Sequence, residues 1–192
     1  DFATQADLVG LAKEKLSRLE RTTPAAGGTA KGLTLTKIYT GRTYAASLSP
    51  DGKRLILVRS ELSSRDLWTR DVATGKEVRL TTQVTVSADL AWSPDSRWVA
   101  FADRDREIKV VSVDGGPVRT LFTPDLTSQD TAGIEPTSWT SDSRKVVFHI
   151  PSKGLFAVAA AGGTSEPMLT YDNPVEAKRH EPMTLSPDGR WI

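Results

Sequence analysis

Leu48-Ser49-Pro50-Asp51-Gly52-Lys53 returns as Trp92-Ser93-Pro94-Asp95-Ser96-Arg97, as Trp139-Thr140-Ser141-Asp142-Ser143-Arg144, and as Leu185-Ser186-Pro187-Asp188-Gly189-Arg190. The aspartates Asp51, Asp95, Asp142 and Asp188 stand 44, 47 and 46 residues apart. A repeat of that length is the size of one four-stranded propeller blade. The motif has the chemistry of a type I turn, because proline presets φ and serine and glycine suit the flanking positions. Its aspartate can hold nearby backbone N–H groups. The third copy lacks the proline and reads as a weaker version of the same turn.

The segments after each turn repeat too. Leu55–Val58, Trp98–Phe101 and Val146–Phe148 are β-rich runs, and Asp66–Trp68, Ile108–Val111 and Leu155–Val158 follow them. Thr74-Gly75, Gly115-Gly116 and Gly162-Gly163 then mark turns before the last short strands, Val78–Thr81, Val118–Leu121 and Pro167–Thr170. Short strands between regular turn signals predict an all-β protein of antiparallel units. Residues 33–192 would supply about three and a half four-stranded blades. Trp92, Trp139, Trp98 and Trp191 recur in register with the turns, which makes them packing residues between neighbouring sheets.

These turns, with endings such as Leu67-Trp68…Asp71…Thr74-Gly75…Leu80-Thr81 and Asp114-Gly115-Gly116…Leu121, resemble the propeller repeat of TolB-type proteins. The resemblance covers residues 33–192, with a longer loop expected at Glu61–Arg65. The same blade type resembles the propellers of prolyl-oligopeptidase-like and tricorn-like proteases, of amidohydrolase fusions and of bacterial kinases. It implies a scaffold, and function has to come from a site. The last unit reaches only the first strand after its turn, so further blades or a partner chain are expected to cover that edge.

Residues 1–32 differ from the rest. Thr4-Gln5-Ala6-Asp7 resembles a capping box, and Leu8, Leu11, Leu16 and Leu19 fall along one helical face. An amphipathic helix over 5–20, followed by the flexible linker Thr22–Lys31, is expected to dock on the propeller or on a partner. Leu33–Tyr39 alternates like a strand and is a candidate outer edge for a blade.

The chain has 25 Lys and Arg against 24 Asp and Glu, a net charge of +1, which excludes a broad nucleic-acid-binding surface. There is no cysteine and no apolar run of membrane-spanning length. No G-x-S-x-G elbow occurs. The Gly27–Gly32 stretch has Leu33 where a phosphate loop needs lysine. His180-Glu181-Pro182-Met183-Thr184 opens like a zinc-protease helix, but threonine replaces the second histidine and proline breaks the helix. No catalytic, cofactor or metal residue is assigned. His149 is read as an ordinary strand histidine.

In the resembling family the strand before each turn lines the central channel. Four residues back from Leu48, Trp92, Trp139 and Leu185 stand Tyr44, Ala88, Glu135 and Glu181, with Asp89 and His180 beside them. Tyr44, Asp89, Glu135, His180 and Glu181 are therefore candidates to face one end of the channel and hold a cation or a basic peptide. The alternative is that they are solvated rim residues. Thr123–Glu135 and Tyr171–His180 are candidate contact loops.

The expected function is that of a non-catalytic interaction scaffold, a subunit or fragment of a periplasmic or other extracytoplasmic assembly, as Tol-type propellers are. The alternatives are a substrate-gating propeller of a hydrolase and an extracytoplasmic sensor propeller of a membrane kinase.

Overall fold

The computed structural model describes residues 37–61, 63–87, 89–103, 107–124, 134–150, 153–170 and 186. Within the compact unit Thr40–Ile192 the described strands form three four-stranded antiparallel sheets. The first contains β1 (Ala45–Leu48), β2 (Arg54–Glu61), β3 (Ser64–Asp71) and β4 (Glu77–Arg79). The second has β5 (Leu90–Trp92), β6 (Trp98–Ala102), β7 (Ile108–Ser112) and β8 (Arg119–Phe122). The third has β9 (Glu135–Trp139), β10 (Lys145–Ile150), β11 (Gly154–Ala159) and β12 (Glu166–Thr170). Each sheet runs in simple sequence order, and consecutive sheets pack face to face. This is three blades of a propeller. The expected helix with Leu8, Leu11, Leu16 and Leu19, the turn of Asp188, and His180 and Glu181 lie outside the described residues.

The repeated motif builds the same corner three times. Ser49 Oγ donates to Asp51 Oδ1 (2.7 Å), which also accepts the Lys53 amide (3.1 Å), while the Arg54 amide donates to Ser49 Oγ (2.9 Å). Ser93 and Asp95 repeat the set with the amides of Arg97 and Trp98. The third corner makes the same set of bonds as the others. Thr140 supplies the hydroxyl to Asp142 Oδ1 (2.6 Å), and the Arg144 and Lys145 amides complete the set at 3.0 Å each. Losing proline costs little where the hydroxyl and carboxylate remain to close the turn. The bond from Ser49 and the Lys53 amide hold the Asp51 carboxyl below its ordinary range, and Thr140 and the Arg144 amide do so for Asp142.

A second set of bonds crosses between blades. The Asp51 amide donates to Ser96 Oγ, and the Asp95 amide to Ser143 Oγ, both at 3.1 Å. Trp92 Nε1 donates to the Ser47 carbonyl (3.3 Å) and Trp139 Nε1 to the Ala91 carbonyl (2.8 Å). Each link reaches from one copy of the motif back to the preceding blade. Trp92 and Trp139 therefore pack between sheets, as expected, and also donate across the seam, while Trp191 lies outside the described residues.

Between the first two sheets Ile56, Val58 and Leu67 meet Val99, Phe101, Val111 and Val113. Between the second and third, Ala100, Ala102, Ile108 and Val110 meet Trp139, Val146, Phe148, Ile150 and Val158. Successive residues of β6 thus go to opposite cores, which is why its sequence is apolar throughout rather than alternating. Fully burying a side chain such as Phe101 contributes roughly 1.5–3 kcal/mol.

Two strand assignments differ from the sequence expectation. Glu61, Ser64 and Arg65, expected in a longer loop, stand on strands: β2 and β3 pair from Arg54↔Asp71 to Glu61↔Ser64, so the extra residues lengthen the strands. Lys37–Tyr39, the described end of the Leu33–Tyr39 stretch, is not in a strand.

Candidate functional site

The ends of the first strands bring three expected residues together. Tyr44 stands immediately before β1, where its amide donates to the Val58 carbonyl (2.7 Å). Asp89 immediately precedes β5, and Glu135 opens β9. All three line one cavity of about 440 Å³, with Arg65, Thr85, Val86, Ser87 and Asp103 completing its wall. Tyr44 and Glu135, each four residues before its turn's leading residue, and Asp89, one residue off that position, therefore line the same cavity.

The other wall residues come from pairing that the repeat does not announce. The connection after the first blade runs parallel to the start of β3, with a bridge between Arg65 and Thr85. The Arg65 amide donates to the Val84 carbonyl (2.9 Å) and the Val86 amide to the Arg65 carbonyl (3.0 Å). The Ser87 amide then reaches the Ala102 carbonyl (2.9 Å), which ties the connection to β6 and seats Thr85–Ser87 in the wall. The sequence expectation puts Arg65 in a loop, and the hairpin register sets it on β3 beside Tyr44.

The charges in the cavity are arranged in three groups. The Arg65 guanidinium lies over the Tyr44 ring, 4.6 Å from its centroid. The carboxyls of Asp89 and Glu135 are hydrogen-bonded to each other. Burial first, then that bond and the Asp89 charge, push the Glu135 carboxyl up from the ordinary 4.5 to about 7. Asp103 is paired with Lys109, which also holds Glu107 at 2.9 Å. His149 faces Glu135 across the β9–β10 pair but does not line the cavity. Of the candidate loop Thr123–Glu135, the structure describes Thr123, Pro124, Ile134 and Glu135, and Thr123 Oγ1 donates to Glu107 (2.9 Å).

The arrangement offers a binding surface with both signs of charge. Among the described residues, no three His, Cys, Asp or Glu side chains gather as a metal centre requires. No helix among them is long and apolar enough to cross a membrane.

No family model matches the chain. It is 28% identical over 109 residues to the "Uncharacterized peptidase YuxL" of Bacillus subtilis (strain 168), which covers 52% of this chain and 16% of that protein. Among solved structures, it is similar to the crystal structure of TolB from Acinetobacter baumannii. There the TM-score is 0.55 at 19% identity, over 76% of this chain and 35% of the TolB chain. The likeness is one of fold, in agreement with the three sheets and the corners that define them. The chain has a TolB-like β-propeller fold.

Proposed function

We propose that this chain is a non-catalytic interaction scaffold, a propeller whose cavity at the head of the first strands receives a segment of a partner polypeptide. The observation that carries the reading is the convergence of Tyr44, Asp89 and Glu135, one from each described blade, on a single cavity of about 440 Å³. That volume is in the range of ligand sites, and two of its wall residues, Arg65 on β3 and Glu135 on β9, stand on strands of the sheets. The partner, further blades, a docking role for the helix over residues 5–20 and an extracytoplasmic, periplasmic setting all belong to this proposal. So do His180 and Glu181 as further channel residues, and the division into 1–32 and 33–192.

The test is selection of peptides from a random library on the immobilised chain, followed by titration against Ser87→Trp, which fills the cavity. Enriched peptides whose affinity falls at least about tenfold in the variant support the reading. An undiminished affinity places binding elsewhere and removes the reading.

A second reading is the substrate-gating propeller of a hydrolase, favoured by the similarity to a protein named as a peptidase. It requires a catalytic domain elsewhere in the same polypeptide, and a G-x-S-x-G elbow there would establish it.

A further inference from the structure

The same cavity carries a statement about its ligand, which rests on the binding reading above. Among the described residues Arg65 has no ion pair. Its guanidinium lies over the Tyr44 ring, 4.6 Å from the centroid, a contact that uses none of its N–H donors. Asp89 and Glu135 hold one another, and Asp103 is taken by Lys109. Among the described residues the cavity thus has one cation without a carboxylate partner and one carboxyl pair without a cation, on walls made by different blades.

From this arrangement we infer that the cavity recognises a carboxylate and an ammonium carried on one ligand, the carboxylate at Arg65 and the ammonium at Asp89 and Glu135. A ligand with only a negative charge would meet Arg65 well and the acidic pair badly. One with only a positive charge would do the reverse. A ligand with both is complemented at each end, and the planar guanidinium suits a carboxylate held by two parallel bonds. The hydroxyls of Thr85 and Ser87, in the same wall, supply further donors and acceptors.

The two charges can come from acidic and basic side chains of a peptide or from the two ends of a short one. The chemistry at the cavity is the same. In either case an ammonium arriving at the acidic pair favours the ionised form of Glu135. Below the pH of about 7 at which that carboxyl loses its proton, binding therefore releases a proton to solvent.

The experiment is calorimetric titration of the intact chain with four probes. Acetyl-Glu-Gly-Lys-amide carries both charges on side chains, and free triglycine carries them on its ends. Acetyl-Glu-amide and acetyl-Lys-amide each carry one. Either doubly charged probe is expected to bind at least about tenfold more tightly than both singly charged ones, and which of the two does so identifies the source. Arg65→Gln and Glu135→Gln are each expected to weaken that probe about tenfold. Titration in two buffers of different ionisation enthalpy is expected to show proton release below pH 7 that disappears in Glu135→Gln.

Circular dichroism confirms that each variant is folded, and if one is not, the other carries the test. Equal affinity for singly and doubly charged probes, or no binding of any probe, overturns the inference. Library peptides that bind and are blocked by Ser87→Trp, yet lack a paired carboxylate and ammonium, would overturn it while leaving the scaffold reading intact.

Discussion

The backbone amide of Asp51 donates to the hydroxyl of Ser96, 3.1 Å away and 45 residues on, so the corner of one blade is held by the corner of the next. Ser96 has φ near +60°, where Gly52 of the first corner has +72°. A left-handed residue other than glycine costs about 1–2 kcal/mol. The serine keeps that conformation while its side chain anchors the neighbouring turn.

Replacement of Ser96 separates the two effects. Ser96→Ala keeps the backbone cost and removes the acceptor, and it is expected to destabilise by about 0.5–1 kcal/mol. Ser96→Gly removes both, so the loss is offset by relief of the backbone and the change is expected to be near zero or slightly stabilising. Urea midpoints of the two variants check the order. If alanine is tolerated better than glycine, the link contributes in some other way.

The indole at Trp139 is buried, and its Nε1 reaches the Ala91 carbonyl at 2.8 Å. Trp139→Phe keeps most of the apolar area and leaves the carbonyl without this donor. A loss of about 1–3 kcal/mol is expected, and amide exchange should accelerate in β5 and β9 before it does in β2 and β3. Uniform acceleration throughout would mean that the bond is not specific to that seam.

Gly154 opens β11 at φ +125°, and a Cβ there would fall 1.9 Å from the Leu169 carbonyl oxygen. Both the backbone conformation and the space exclude a side chain. Gly154→Ala is expected to cost on the order of 3 kcal/mol or more and to loosen β12 first. Gly52→Ala has the strained φ but nothing within 4 Å of the added carbon, so it should cost about 1–2 kcal/mol. Equal losses would show that the close approach at Leu169 has no energetic weight.

The elevated Glu135 carboxyl gives a pH dependence of unusual sign for an acidic residue. Between 4.5, where it titrates in the unfolded chain, and about 7, the folded protein retains a proton that the unfolded chain has lost. This group's contribution to stability is therefore most favourable below pH 4.5 and declines as the pH rises through about 7. Glu135→Gln should remove that decline. The difference between wild type and variant, measured by urea unfolding on either side of the interval, reads it directly. A flat difference means that the two carboxyls do not share a proton.

The blades were legible because their signals are local. A turn, two β-rich runs and a glycine corner all fall within one repeat, and the residues that make them bond within a few positions of each other. The cross-blade links were not legible. Ser96 and Ser143 look like poorer versions of Gly52 until the neighbouring corner is placed beside them. The third corner closes without proline because the Thr140 hydroxyl takes the place of serine, a substitution that a proline-based reading does not see. Counting back from the turns reaches Tyr44 and Glu135, since a register position is a periodic property, and Asp89 lies one residue off it. Arg65 belongs to β3 and Asp103 follows β6, so their place in the cavity depends on pairing between strands and not on the repeated turn.

The cross-blade links also have a direction. Trp92 and Ser96 secure the blade before them, and Trp139 and Ser143 do the same one blade later. What holds a sheet in place is thus written in the copy that follows it. A transplant cut at the boundaries of a sheet would leave its anchors behind and import anchors meant for another neighbour. The unit that can be duplicated or exchanged intact is offset from the sheet. It begins in one blade and includes the corner and tryptophan of the next.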